Sequence, residues 1–505
     1  MVTAGWGWWI AFWTAAASCA GDTAPASKVP GGPVVHSSSS ETSYLVPLRP
    51  GVSFQPLLSV GDAASKNGYR MVGIPDGLGA WSKGNKLELL MNHELEPTAG
   101  AVRAHGATGA FVSRWSIDKT TGEVLRGQDL IRSVVLWNVA AGRYDAPAKG
   151  VTLARFCSGD LPDRSAFFFG GEHGESNDHR AEDREEGDDR DVSDAGYKGR
   201  IYMNGEELAD GRGFAHVVES GISYELPRMG RMRFENLVAR PHSGAITVVA
   251  GTDDTSPGEI VLYVGTKTAS GSPVKRAGLT NGTLYGLVVD GYPTEQAGRL
   301  PSGTPVSWRD LGNVTGLSGA ALQALETANG VTGFNRPEDI AWNPANLEQL
   351  FFVTTASFTT STRLWRINFV DGRNPALGGT IDLLVDGDTT VVDGVSPRMF
   401  DNITVTHDGR WIYLQEDPGS QAHLAKIWRF DLQRNVLELV AQHDPARFDP
   451  ASPGFLTQDE ESSGIIDASA FLGPGKFLLD DQIHRSHPDP ALVQHGQLLI
   501  MTVAP

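Results

Sequence analysis

The sequence predicts an all-β protein, on three observations. Short runs of aliphatic, aromatic and β-branched residues bounded by Gly, Asp and Pro recur along the 505 residues. The 59 Gly and 29 Pro are spread through the chain and not pooled in one tail, which suits a loop-rich β architecture. Several segments also repeat one layout, the signature of an array of similar sheets.

In chain order, residues 1–21 read as a signal peptide or lipoprotein leader. The apolar stretch WGWWIAFWTAAASCA is too short for an ordinary transmembrane span and ends in small residues. Cys19 sits where a bacterial lipoprotein is acylated, although no Lys or Arg precedes Lys28. Residues 22–43 are rich in Pro, Gly and Ser, lack periodicity and read as a flexible linker. Residues 44–505 are expected to form a single domain.

Strands are expected at Lys86–Met91, Ser133–Trp137, Ala245–Ala250, Ile260–Gly265, Gln349–Thr354, Leu364–Phe369, Trp411–Gln415 and Ile427–Leu432. The repeated layout is an acidic or small polar pair, a strand, a turn and a second strand. Glu235-Asn236, Glu338-Asp339, Asp401-Asn402 and Ser463-Gly464 open four such units. Looser copies run from Asp76 to Glu94 and from Cys157 to Glu175. Six units are what a six-bladed β-propeller requires, and its first strands line a channel where acids distant in sequence would meet. The plainer reading makes these acids turn residues ahead of strands. Two stretches interrupt the repeat: an acidic, mixed-charge insertion over 175–194, and a short helix in LSGAALQALETA between Asn313 and Val331.

A formal charge of −18, from 60 acids against 42 Lys and Arg, argues against nucleic acid, whose phosphates demand a basic face, and suits bound cations. With two Cys, one of them in the leader, no disulfide framework or paired CxxC zinc pattern is available. Neither HExxH, GxSxG nor a phosphate-cradling Walker loop occurs. Metal chemistry remains: calcium wants hard oxygen ligands and iron accepts a thiolate. The chain offers Cys157, Glu172, Glu235, Asp253, Asp254, Glu338, Asp401, Glu416, Asp417 and Glu461, with His93 and Glu94 as additions. Arg336 stands two residues before Glu338, and Pro337 between them suggests a fixed extended geometry. Such an Arg suits either a structural ion pair or the grip on a phosphoryl oxygen.

On these motifs the chain resembles the PhoX-type alkaline phosphatase family, from about Gly73 to Leu499. The family's Cys-x-Gly motif and the Glu fifteen residues beyond its Cys are matched by Cys157-Ser158-Gly159 and Glu172. GRMRFEN carries Glu235, Asp254 follows nineteen residues later, and Arg336-Pro337-Glu338 and Asp401-Asn402 match the remaining motifs. The chain departs from the family at Asp160, where a second Gly is usual, and at Phe234, where a His is usual. The resemblance implies a six-bladed propeller with an iron and calcium cluster. Cys157, Glu235 and Glu338 would be iron ligands, Glu172 and Asp254 calcium-side ligands, and Arg336 the catalytic, phosphate-binding arginine. It further implies a phosphoester hydrolase acting on a small phosphorylated substrate as a monomer. Such a protein is secreted, periplasmic or an outer-envelope lipoprotein, and touches membrane only through Cys19. The alternatives are a non-catalytic calcium-binding envelope propeller and a lactonase- or esterase-like propeller hydrolase.

Overall fold

A computed structural model describes residues 37–170, 194–299 and 301–504 of the chain. The leader with Cys19, residues 22–36 of the expected linker, Glu172 and residues 175–193 of the acidic insertion lie outside the described residues. No helix among the described residues is long and apolar enough to cross a membrane.

The described chain is mostly β, built from antiparallel sheets whose strands follow one another in sequence. One sheet runs Pro75–Lys83, Lys86–His93, Phe111–Asp118 and Val124–Asp129. A second joins Ile201–Gly205, Glu207–Val217 and Ile222–Glu225, with Ser133–Val135 added in parallel. A third runs Arg231–Ala239, Ile246–Asp253, Ile260–Thr266 and Thr283–Val289. A fourth runs Pro337–Trp342, Gln349–Thr354, Arg363–Phe369 and Gly379–Asp386. Thr304–Gly312 hydrogen-bonds to both of these last two.

The chain ends close the remaining sheets. Phe400–Val405, Trp411–Glu416, Lys426–Asp431 and Val436–His443 gain Leu45–Pro47 at their edge. Glu460–Asp467, Lys476–Ser486 and Gln494–Val503 gain Val52–Ser59. Ser37–Ser43, expected as linker, hydrogen-bonds to this body: the Ser40 N–H donates to Asp62 Oδ2 at 2.9 Å, and Arg447 reaches Glu41 and Thr42. Apolar side chains fill the spaces between neighbouring sheets, with Leu262, Phe352 and Trp365 in one layer and Tyr413, Phe477 and Leu499 in another. Burying each is worth about 1.5–3 kcal/mol.

The predicted strands and the helix at Gly319–Ala328, capped by Ser318, are present, with ends shifted by a few residues, except that Ser133–Trp137 breaks at Leu136 into Ser133–Val135 and Trp137–Asn138 in different sheets. One predicted unit is corrected. Cys157–Glu175 is not a sheet of its own, since its described part is loop apart from a short 3-10 turn and the two-residue strand Phe168–Phe169. Gly159 and Pro162 break any extended run, and the strands belonging there come from Ile201–Glu225.

The repeated polar pairs also have a different origin from turns preceding strands. In each first strand the register slips across the pair: at Asp76/Leu78, Phe234/Leu237, Pro337/Ile340, Phe400/Ile403 and Ser463/Ile466. These are β-bulges, in which an extra residue bends the strand and re-aims a side chain. The pairs at 235/236, 338/339 and 401/402 therefore present two consecutive polar side chains where a regular strand would present one.

Candidate metal centre

In four of the five bulges the first residue, Asp76, Glu235, Glu338 or Asp401, brings a carboxyl group to a common region, and in the fifth Ser463 brings a hydroxyl. Glu235, Glu338 and Asp401 each place a carboxylate oxygen within 4.8 Å of the others. Asp401 does the same with Asp417 and Glu461, and the Cys157 thiol with Asp76 and Glu94. Asp76, Cys157, Glu235, Glu338 and Glu461 are buried, whereas Glu94, Asp401 and Asp417 are half-buried and open the region to solvent.

The second members form the layer beneath. Asn236 Nδ2 donates to Asp339 Oδ1 at 2.6 Å, the Ile403 N–H to Asp339 Oδ2 at 2.8 Å, and Asn402 Nδ2 to Ser158 Oγ at 2.5 Å. A cavity of about 250 Å³ lies along this layer, lined by Ser158, Asn236, Asp339 and Asn402 with Ile340 and Trp342; the acids above do not line it.

The Cys157 loop is held at several points. Asn92 Nδ2 donates to the Cys157 carbonyl at 2.6 Å, and the Ser158 N–H donates to Glu235 Oε1 at 3.3 Å. A Cβ on Gly159 would stand 2.2 Å from Tyr202 Oη, so only glycine lets the loop lie against that ring. Asp160 Oδ2 accepts from the Ala239 N–H at 2.8 Å, tying the loop to the Arg231–Ala239 strand. Cys157 Sγ lies 3.3 Å from Glu207 Oε2.

Two arginines each bridge a pair of these acids. Arg155 pairs with Glu94 at 2.7 Å and with Glu207. Arg336 grips Asp254 through Nε and Nη2, at 2.8 and 3.0 Å, and reaches Glu338 Oε1 at 2.7 Å. Its backbone corrects the expected extended geometry: Arg336 sits at φ 55°, in the left-handed region, while Pro337 begins the strand. A non-glycine residue before proline held there is strained, and the two ion pairs oppose its relaxation.

Burial, then mutual repulsion, pushes Asp76, Glu235, Glu338 and Asp401 well above the ordinary carboxylate range. Burial and the neighbouring Glu94 and Glu235 likewise push the Cys157 thiol up. Glu207 and Glu461 rise to about 7, mainly by burial. At His484, 3.6 Å from Glu461, burial opposes the charged form but Glu461 outweighs it and raises the imidazole to about 10. A multivalent cation would reverse this proton-retaining logic, because its charge stabilises every ionised ligand at once.

The sequence-derived candidates therefore divide. Cys157, Glu235, Glu338, Asp401, Asp417, Glu461 and Glu94 gather into neighbouring groups. Asp254 belongs to the same region as the partner of Arg336. Asp253 instead accepts the Arg233 N–H, and Glu416 is consumed by Arg398 N–H, Trp428 Nε1 and His423. His93 is a core residue: it lies against the Gly73 carbonyl and Ser113 Oγ, stacks on Phe111, and is lowered by burial to about 3. Phe234 is core as well, packed on Gly205, and contributes no donor atom. Asp76, Arg155, Glu207 and His484 were not anticipated. Asp76 was detectable, since it opens a unit as Glu235 does; Glu207 and Arg155 carry no local signal.

No protein-family model matches the chain, and no curated protein sequence matches it. Among solved structures it is similar to Pseudomonas fluorescens PhoX in complex with vanadate, a transition state analogue, with a TM-score of 0.63 at 13% identity over 93% of this chain and 98% of that one. It also matches the Myceliophteria thermophila Cps50 (Swd1) beta-propeller domain, with a TM-score of 0.35 at 8% identity over 90% of this chain and 100% of that one. A third match is Trypanosoma rangeli sialidase in complex with the inhibitor DANA, with a TM-score of 0.31 at 10% identity over 90% of this chain and 60% of that one.

Proposed function

We propose that the chain is a metal-dependent phosphoester hydrolase, with its centre at the gathered Cys157 and carboxyl groups. The observation that carries this reading is three groups of donor atoms, each within 4.8 Å of one another: Asp76, Glu94 and the Cys157 thiol in one, and two all-carboxylate groups that share Asp401. We also read the sheets as six blades of one closed propeller. In support, Tyr202 Oη on the Ile201–Gly205 strand donates to the Gly77 carbonyl at 2.7 Å, and Asn402 Nδ2 reaches Asp76 Oδ1 at 3.5 Å.

The donor set fits the expected metals. Carboxylates around Asp401, Asp417 and Glu461 are all hard oxygen ligands and suit calcium. Cys157 with Asp76 and Glu94 adds a thiolate to such oxygens and suits iron, and the group of Glu235 and Glu338 adjoins it through the Ser158 N–H on Glu235. When bound, such ions supply Lewis-acid charge to phosphoryl oxygens. The protein's own contribution is orientation. Asp254 and Glu338 fix the Arg336 guanidinium through Nε and Nη2, so Nη1 is left to bind an anionic oxygen of a small phosphorylated substrate. Protonated His484 adds positive charge beside Glu461, and the half-buried Asp401 and Asp417 mark the way in.

The test is elemental analysis of the purified full chain, paired with hydrolysis of p-nitrophenyl phosphate across alkaline pH. Iron and calcium should be present, chelation should abolish turnover, and Cys157→Ser should remove iron and lower the rate roughly 100-fold or more. Metal-loaded protein that turns over no phosphoester would sink the hydrolase and leave a calcium-binding propeller. Phe234 and Asp160, both used structurally, favour that second reading.

A further inference from the structure

A second group of polar atoms lies on the other face of the sheet that carries Glu461. In the Lys476–Ser486 strand Asp481 pairs in register with Ser462, so both side chains share one face with Glu460, two residues before Ser462. Glu461 and Gln482 alternate to the opposite face, where Gln482 Nε2 donates to Asp76 and Glu94 in the first centre. The Asp481 face meets the neighbouring sheet at His443, whose Nε2 stands 3.7 Å from Asp481 Oδ1.

The residues in this layer are sealed from solvent: His443 and Asp481 are 0% exposed, Glu460 and Ser462 1%. Among the described residues His443 Nε2, both Asp481 carboxylate oxygens, Glu460 Oε2 and Ser462 Oγ have no hydrogen-bond partner. Their other atoms are spoken for, which aims the free ones. His443 Nδ1 lies 3.2 Å from the Ala425 carbonyl, an oxygen that only accepts, so Nδ1 carries the proton and Nε2 presents a lone pair. Glu460 Oε1 accepts the Ala425 N–H at 3.3 Å, leaving Oε2. A buried carboxylate with no partner costs several kcal/mol, so so many orphaned atoms in one layer need a ligand.

We propose that this layer is a second cation site, in which His443 Nε2 and Asp481 hold a divalent ion of the zinc class, with Ser462, the register partner of Asp481, on the same face. Two atoms each about 2.0–2.2 Å from a common zinc stand roughly 3–3.5 Å apart, close to the His443–Asp481 separation. A neutral imidazole beside a carboxylate suits zinc better than calcium, which prefers oxygen throughout. The Ala425 carbonyl is then the hydrogen-bonded support that fixes the ligand's tautomer. Tyr44, Phe448 and Ile483 pack together beside the layer and keep it dry.

The experiment is anomalous diffraction at the zinc edge from crystals of the full chain equilibrated with zinc chloride, with zinc content measured for the native chain, His443→Gln and Cys157→Ser. A peak about 2.0–2.2 Å from His443 Nε2 is expected. One zinc equivalent should be lost in His443→Gln and retained in Cys157→Ser. No peak at Nε2, or water there with unchanged zinc content in His443→Gln, overturns the proposal. The native map decides even if the variant fails to fold, and loss of metal in Cys157→Ser alone concerns only the first centre.

Discussion

Glu326 lies buried on the helix Gly319–Ala328 near Glu259; burial, with repulsion from Glu259 and Asp253, raises Glu326 to about 9, and burial, with repulsion from Asp253, raises Glu259 to about 8. Among the described residues neither Glu326 Oε1 nor Glu259 Oε2 has a hydrogen-bond partner, while Gln323 Nε2 donates to Glu259 Oε1. Folded chain thus holds protons that unfolded chain releases near 4.5, so the unfolded state binds fewer protons between pH 4.5 and about 9. Stability from this pair is fully present below that window and is lost as pH rises through it. Glu326→Gln should therefore be nearly neutral at pH 4.5 and stabilising by roughly 2–4 kcal/mol at pH 7. Urea melts at both pH values check this, and a difference that does not grow with pH contradicts it.

Among elements, the bulged first strands explain why polar residues come in pairs at 235/236, 338/339 and 401/402, while at the ends of the second strands ordinary alternation parts neighbouring acids. Asp254 and Asp417 turn toward the centre while Asp253 and Glu416 serve the backbone and core. The Pro75–Lys83 strand adds a second constraint: a Cβ on Gly77 would lie 2.4 Å from Gly159 N and 2.5 Å from Ser158 C, both backbone atoms that cannot yield cheaply. Gly77→Ala should push the Cys157 loop away from Asp76 and cost about 1–3 kcal/mol. The Cys157 thiol should then react faster with a soluble disulfide; unchanged reactivity together with an unchanged melting temperature would refute the close approach.

For the described molecule, its first strands close two sheets late in the chain. Val52–Ser59 pairs with Gln494–Val503, and Leu45–Pro47 with Val436–His443. Tyr44, Leu45, Leu57 and Leu58 are buried there, each worth about 1.5–3 kcal/mol, together comparable with the 5–15 kcal/mol that holds an ordinary domain folded. Removing residues 1–59 should abolish cooperative melting followed by circular dichroism. A truncated chain melting as sharply and as high as the full one would show that the clasp is dispensable.

Much of this was legible in the chain itself. Apolar runs such as Gln349–Thr354 and the Ser-capped stretch at 319–328 declared their elements by local preference, and the recurring pairs at 235, 338 and 401 declared the repeat. The terminal strand Val52–Ser59 escaped notice because Pro56 interrupts it; an edge strand with a bulge tolerates that proline. Sequence alone determined the β architecture, the acidic character and most of the carboxyl groups that gather, because strand patterning and the recurrence of polar pairs are local. Only the tertiary structure decided that Glu207, Arg155 and His484 join them, that His93 and Glu416 do not, and that His443 faces Asp481. Those choices rest on which faces of separate sheets meet, and a meeting of faces leaves no trace in local spacing.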